Sequence, residues 1–284
     1  MTSSVPICCF NGEFVPVSSV RFSTENRAFR YGDGLFETIR CFGNQPFLLD
    51  LHYDRLRRGM EALQLSDLHF PTYDVLEKKI ESLINKNRYF VSSRVRLTVF
   101  RNDGGLFTPS TNGCSYLIEA TPLEKGSYEL NEKGLIAGVY TDIPKAASLI
   151  SPYKTANSLV YVMAGIHKTK QNLTEVFITN SRGLIIEAMS SNLFWFKDGV
   201  LYTPSVSSGC VEGVMRHCIL QIARNQGFVA NEVEGITFES LKNVDEIFVT
   251  NAIGGIQWIV GIDDVRFYNI KTRQLYRAFM QSFS

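Results

Sequence analysis

The sequence has no surplus of charge, no long apolar run and no clustered metal or disulfide chemistry, and each lack removes a class of function. With 29 Lys and Arg against 28 Asp and Glu the net charge is +1, so it offers no electrostatic excess to hold a phosphate backbone or an anionic membrane. No stretch approaches the roughly 20 apolar residues that span a bilayer, and residues 1–12 lack the basic start and apolar run of a targeting segment. The expectation is a cytoplasmic protein with neither a nucleic-acid nor a membrane partner. The six cysteines, Cys8, Cys9, Cys41, Cys114, Cys210 and Cys218, form no C-x-x-C in a chain too large to need disulfide staples, which predicts free thiols. The four histidines, His52, His69, His167 and His217, form no H-x-x-x-H pair and have no cysteine at zinc spacing, so no metal is expected. Internal repeats and low-complexity tracts are absent, and Gly32-Asp33-Gly34 lacks the third glycine of a dinucleotide-binding loop.

What remains is 284 residues, 45% of them hydrophobic, with helical and strand-like patterns mixed along the chain. Asn11-Gly12 joins Ile7–Phe10 to Glu13–Val17 and predicts an opening hairpin. Strands are predicted at Leu35–Phe42 and Phe47–Leu49, then a helix with Asp50 as its cap. On that helix His52 and Arg55, three apart, share one face, and Leu56, Met60 and Leu63 form the apolar stripe. A second helix is predicted over Tyr73–Asn87, followed by strands at Arg94–Arg101 and Ser115–Thr121. The polar, aperiodic stretch Pro122–Lys133 reads as a linker, dividing the chain into a small N-terminal α/β domain (1–121), a linker (122–133) and a larger C-terminal domain (134–284). The second part reads as a strand at Leu135–Thr141, a helix from Asn157 to about Gln171, and strands at Glu175–Thr179, Leu184–Glu187 and Leu193–Phe196. Asp198-Gly199 turns into Val200–Thr203, a helix runs from near Glu212 to Asn225, strands follow at Asp245–Thr250 and Gly255–Ile262, and a helix over Thr272–Phe283 closes the chain.

Three places could carry chemistry. Lys154 stands after a proline-containing loop and before a predicted helix, where desolvation and a helix dipole would favour the neutral, nucleophilic amine; alone, a solvated lysine is the commoner case. Glu187 ends an apolar strand and precedes Ala-Met-Ser-Ser-Asn; it is either the partner of a cationic ring nitrogen or a strand-end carboxylate paired with an arginine. Ser207 to Arg216 is a glycine-containing turn entering a helix, whose first amides, at Val214 and Met215, would suit a phosphate.

Taken in order, these segments resemble the fold-type IV pyridoxal-phosphate enzymes, also called class IV aminotransferases. The resemblance rests on Arg27 to Arg40 (RAFRYGDGLFETIR), His52 to Leu56, Tyr153-Lys154-Thr-Ala-Asn157, Glu187 to Phe194 (EAMSSNLF), Gly209 to Arg216 and Thr250-Asn251-Ala252, and runs over nearly the whole chain. It implies a two-domain α/β (α+β) fold of the D-amino acid aminotransferase type, pyridoxal 5'-phosphate as cofactor, a small-molecule substrate and a homodimer. It also implies that Lys154 is the Schiff-base lysine and proton shuttle, that Glu187 pairs with the pyridine nitrogen and that Arg55 binds the phosphate with the amides of Val214, Met215, Asn251 and Ala252. Ser191 and Asn192 fall in the same cofactor segment, and Tyr31, Arg40, Arg101 and Tyr153 are the substrate-side candidates. Arg101 is equally a salt-bridged strand end.

Within the family, Phe36-Glu-Thr-Ile-Arg40, Gly213-Val-Met-Arg216 and Asn251-Ala-Ile253 are similar to 4-amino-4-deoxychorismate lyases, so the expected reaction is release of p-aminobenzoate and pyruvate from aminodeoxychorismate. Transamination of branched-chain or other amino acids is the alternative, since Arg101 to Pro109 departs from the lyase loop. In the lyase reading Thr38 would donate a proton or orient the substrate; otherwise it simply packs in its strand.

Overall fold

The computed structural model describes residues 5–282 and separates into two compact units, one of residues up to Ser127 together with Tyr153–Asn157, the other of Tyr128–Pro152 and the chain from Ser158 on. The break at Ser127 falls within the polar stretch read as a linker.

The first unit contains β1 (Ile7–Phe10), β2 (Glu13–Pro16), α1 (Arg27–Tyr31), β3 (Gly34–Phe42), β4 (Gln45–Pro46), α2 (Leu49–Ala62), α3 (Tyr73–Asn87), β5 (Ser92–Arg101) and β6 (Cys114–Pro122). Its strands form a six-stranded sheet in the order β2-β1-β6-β5-β3-β4. Asn11 and Gly12 take positive φ at 50° and 89°, as the opening hairpin turn requires. Alternation along β3 and β5 sends Leu35, Ile39, Cys41, Val95, Leu97 and Val99 to one face, where Leu56 and Met60 of α2 and Leu76, Ile80, Leu83 and Ile84 of α3 bury them. Each such side chain contributes about 1.5–3 kcal/mol. Asp50 is not the cap of α2: Leu48 occupies that position with φ 52°, and Asp50 lies in the first turn, where its charge suits the helix dipole. Phe47–Leu49 is accordingly no strand, because that left-handed turn starts the helix two residues after β4.

The second unit contains β7 (Leu135–Lys145), α4 (Leu159–Lys170), β8 (Glu175–Asn180), β9 (Ile185–Ala188), β10 (Asn192–Lys197), β11 (Val200–Pro204), α5 (Val214–Asn225), β12 (Ala230–Val233), α6 (Phe238–Leu241), β13 (Glu246–Asn251), β14 (Gly255–Ile262), β15 (Val265–Arg266) and α7 (Ile270–Gln281). The strands pair as β12-β11-β10-β13-β14-β7-β8-β9, with β15 on β14. The pairings β14 with β7, β7 with β8 and β11 with β12 are parallel. Stacked Phe194 and Phe248, 5.0 Å apart, mark one face of this sheet; Leu193, Trp195, Ile247, Val249 and Ile259 fill the core on the other. The last helix starts at Ile270, two residues before the expected Thr272, and its expected end, Phe283, lies outside the described residues, as do residues 1–4 of the N-terminal domain. β7 runs four residues past its expected end, with a slip in its pairing to β8 between Tyr140 and Lys145. All six cysteines are free. Among the described residues no helix is long and apolar enough to cross a membrane.

Candidate active site

In the first unit the alternation of β3 turns Glu37 inward, between Leu35 and Ile39. A bare carboxylate there would be costly, and α2 supplies its partners. Arg55 donates from Nε to Oε1 at 2.8 Å and from Nη2 to Oε2 at 2.5 Å, and His52 Nδ1 lies 2.7 Å from Oε2. All three side chains are buried. Burial alone would raise the Glu37 carboxyl, but Arg55 and His52 outweigh it and bring it down to about 2. His52 is pushed below its ordinary range, by burial first, with Arg55 and Lys154 adding to the effect. A neutral imidazole serves a carboxylate only as a donor, which places the proton on Nδ1.

Lys154 is held in an extended segment against β3, not at the start of a helix. Phe36 N donates to Lys154 O at 2.8 Å, Ala156 N donates to Gly34 O at 2.9 Å, and Leu35 and Thr155 form an antiparallel bridge. The Lys154 amine lies 4.7 Å from the centre of the Phe36 ring, and the Arg96 guanidinium lies 3.9 Å from the same ring. Phe36 thus lies close to two cations, an arrangement its negative ring face favours. Thr38 is next on this face and pairs directly with Arg96 across the sheet. The Arg96 side chain is half-buried and makes neither a hydrogen bond nor an ion pair among the described residues, with Glu119 opposite it on the neighbouring strand. Burial, then repulsion from Arg94, lowers its affinity for its proton against the pull of Glu119.

The other residues expected on the substrate side have visible protein partners. Arg101 donates from Nε to Asp33 at 2.9 Å, from Nη1 to Asn112 at 2.7 Å and from Nη2 to Leu63 O at 2.6 Å, so all three nitrogens are spent within the unit. Its neighbour Arg27 shares the same Asp33 oxygen. Arg40 is buried and donates to the carbonyls of Lys125 and Ser127. Tyr31 has the Arg27 guanidinium over its ring at 4.9 Å, and Tyr153 packs on Gly59 of α2.

The second unit gathers the remaining candidates. Glu187, on β9, is 2% exposed. Its Oε1 accepts from Lys145 Nζ and from the Tyr161 hydroxyl, both at 2.8 Å, and its Oε2 accepts from Val211 N at 2.8 Å. A carboxylate offers about four acceptor positions, so Oε2 retains one for a further donor. Asn192 donates to Val211 O at 2.7 Å, pairs with Thr250 across the sheet, and closes on Gly213, where an added Cβ would lie 1.8 Å from its Oδ1. Asn251 donates to Ser191 Oγ at 2.9 Å, and its Oδ1 accepts from the amides of Ile253 and Gly254. Ala252 offers its carbonyl to the Tyr128 hydroxyl. Gly213 is the N-cap of α5 and has no side chain to accept from the first-turn amides, which include Val214 and Met215, and no acid lies in that turn. This is a setting for an anion.

The sequence reading missed Glu37, Lys145, Tyr161 and Arg96. For Glu37 a signal existed: an acid at an inward position of an alternating strand requires cations nearby. For Lys145 the register slip in β7 hides its position.

The sequence model of the amino-transferase class IV family matches residues 34–262. The chain is 28% identical to a putative branched-chain-amino-acid aminotransferase of Methanocaldococcus jannaschii over 96% of its length and 93% of that protein. It is 27% identical to an aminodeoxychorismate lyase of Bacillus subtilis, covering 90% of this chain and 87% of the relative. Among solved structures, the branched-chain amino acid aminotransferase of Escherichia coli superimposes with a TM-score of 0.89 at 26% identity, over 99% of this chain and 95% of that one. The chain belongs to the class IV aminotransferases and is an enzyme of that family, whose cofactor is pyridoxal 5'-phosphate. The donor set suits that group: an α5 N-terminus with no acid in its first turn for a phosphate, and one open acceptor position on Glu187 for a protonated ring nitrogen.

Proposed function

We propose that this enzyme acts in the lyase branch of its family, releasing p-aminobenzoate and pyruvate from aminodeoxychorismate. The observation that carries this reading is the Thr38 hydroxyl on the sheet face that also holds Phe36 and Arg96, with the Lys154 amine over that Phe36 ring. Transamination needs one proton-moving amine, whereas expelling a pyruvate fragment draws on a second proton carrier, and Thr38 Oγ1 is that group. Aminodeoxychorismate carries two carboxylates, and Arg96, whose side chain makes no ion pair among the described residues although Glu119 lies opposite it across the sheet, is the proposed receiver of one of them.

Bound pyridoxal phosphate supplies the electron sink for bond cleavage. Lys154 Nζ would anchor it and, as a free amine, would take up and return the substrate proton. Glu187 Oε2 would accept from the ring nitrogen, and the amides of Val214, Met215, Asn251 and Ala252, together with Arg55, Ser191 and Asn192, would hold the phosphate. Arg55 is kept in place for this by Glu37. Tyr31, Arg40, Arg101 and Tyr153 remain on the substrate side as wall and support. The same reading makes the protein a homodimer acting in the cytoplasm, and sedimentation at twice the 32.1 kDa chain mass checks the first of these.

The test is p-aminobenzoate and pyruvate release by the cofactor-loaded protein given aminodeoxychorismate. Release should vanish in Lys154→Ala and fall roughly 100-fold in Thr38→Val, the lower end of what a positioned proton carrier contributes. Amino-donor-dependent formation of a keto acid, without p-aminobenzoate, would establish transamination instead, the reading favoured by the likeness to the Methanocaldococcus and Escherichia proteins.

A further inference from the structure

Lys145 belongs to none of the motifs that carry the family resemblance, yet it makes the only ion pair that Glu187 has among the described residues. Its side chain is 12% exposed, and its other acceptor, Ser151 O, is distant at 3.4 Å. It reaches Glu187 because of the slip in β7: after Tyr140 pairs with Ile178, the next paired residue is Lys145, opposite Asn180, which brings its amine to β9 on the far side of β8.

The other groups facing Glu187 are neutral. Tyr161 of α4 donates its hydroxyl and is held far above its ordinary range, by burial first and then by Glu187. The Cys210 thiol, before α5, is pushed up to about 11, again by burial first and then by Glu187, against Arg216 and Lys145. The third bonded donor is the Val211 amide. A buried carboxylate with neutral donors alone would lack a counter-charge, and among the described residues Lys145 is the bonded cation that provides it.

We propose that Lys145 is a positioning residue: by holding Oε1 of Glu187 it fixes the carboxylate so that the open acceptor position of Oε2 is presented to the cofactor's ring nitrogen. The inference rests on the pyridoxal-phosphate reading above. Lys145 touches neither cofactor nor substrate in this role and acts only through Glu187.

The experiment compares two probes by equilibrium binding: pyridoxal phosphate, and its deaza analogue in which carbon replaces the ring nitrogen. Lys145→Met should weaken pyridoxal phosphate about tenfold, a usual coupling between neighbouring groups, and leave the deaza analogue unchanged. Lys145→Arg should bind both as the wild type does. Lys145→Gln, which keeps a donor without the charge, repeats the comparison should the methionine variant be unstable. Equal weakening of both probes would reduce Lys145 to a structural role and overturn the proposal, as would unchanged binding of both. A wild-type protein that binds neither probe would overturn the cofactor reading itself, a result distinct from either.

Discussion

Glu37 places a full negative charge in a core otherwise made of Leu35, Ile39, Cys41 and the helix side chains over them. It holds there because Arg55 grips both oxygens while His52 donates to one, and all three side chains are buried. Removing one member is therefore expensive. Glu37→Gln should cost roughly 3 kcal/mol, the lower bound for breaking a buried pair, as measured by urea denaturation. The exposed pair of Arg58 and Asp54 on the same helix is the contrast, since pairs of that kind contribute under about 1 kcal/mol. On the proposed role of Arg55 at the cofactor phosphate, cofactor affinity should fall along with stability in Glu37→Gln, because the side chain that orients Arg55 is lost.

At the level of elements, the start of α5 depends on the absence of a side chain at 213. Gly213 has an ordinary φ of −70°, so the requirement is spatial: Asn192 Oδ1 fills the place of a Cβ. Gly213→Ala should push Asn192 off Val211 O and weaken pyridoxal phosphate binding about tenfold or more by fluorescence titration, with a stability loss of about 1–3 kcal/mol, typical of overpacking. Elements with a strong period were legible in the sequence. The helix Tyr73–Asn87 has the predicted bounds, since Leu76, Ile80, Leu83 and Ile84 mark one face and Arg88 ends it at φ 59°. The strand Gly255–Ile262 also matches. Some short elements were not: α1 has five residues, and β12, half of it exposed, shows no apolar alternation. The left-handed Leu48 was equally hidden, because nothing in a leucine announces that conformation. The site divides in the same way. Lys154, Glu187 and Arg55 stand in local motifs, whereas Glu37, Lys145 and Tyr161 meet them only through pairing of distant strands and helices, which no local spacing encodes.

For the whole molecule, the coupled groups around Glu37 set how stability responds to acid. His52 is buried neutral with its affinity for protons below the ordinary value of 6.5, so its contribution is complete above that pH and declines as pH falls beneath it. Glu37, held at about 2 against an ordinary 4.5, contributes fully above 4.5 and loses its contribution as pH falls toward 2. Denaturation midpoints should therefore drop in two stages, beginning below about 6.5 and steepening below about 4.5. In His52→Gln the first stage should shrink and the second persist. A further consequence follows from the segment Tyr153–Asn157, which belongs to the first unit although the chain on either side of it belongs to the second. During synthesis, at about 5–20 residues per second, the first 127 residues emerge with the Leu35–Phe36 edge of β3 still bare, because the backbone that covers it arrives only with Lys154 to Ala156. An exposed strand edge invites pairing with other chains, so for about a second or more the nascent protein carries a sticky border that its own Lys154 segment later seals.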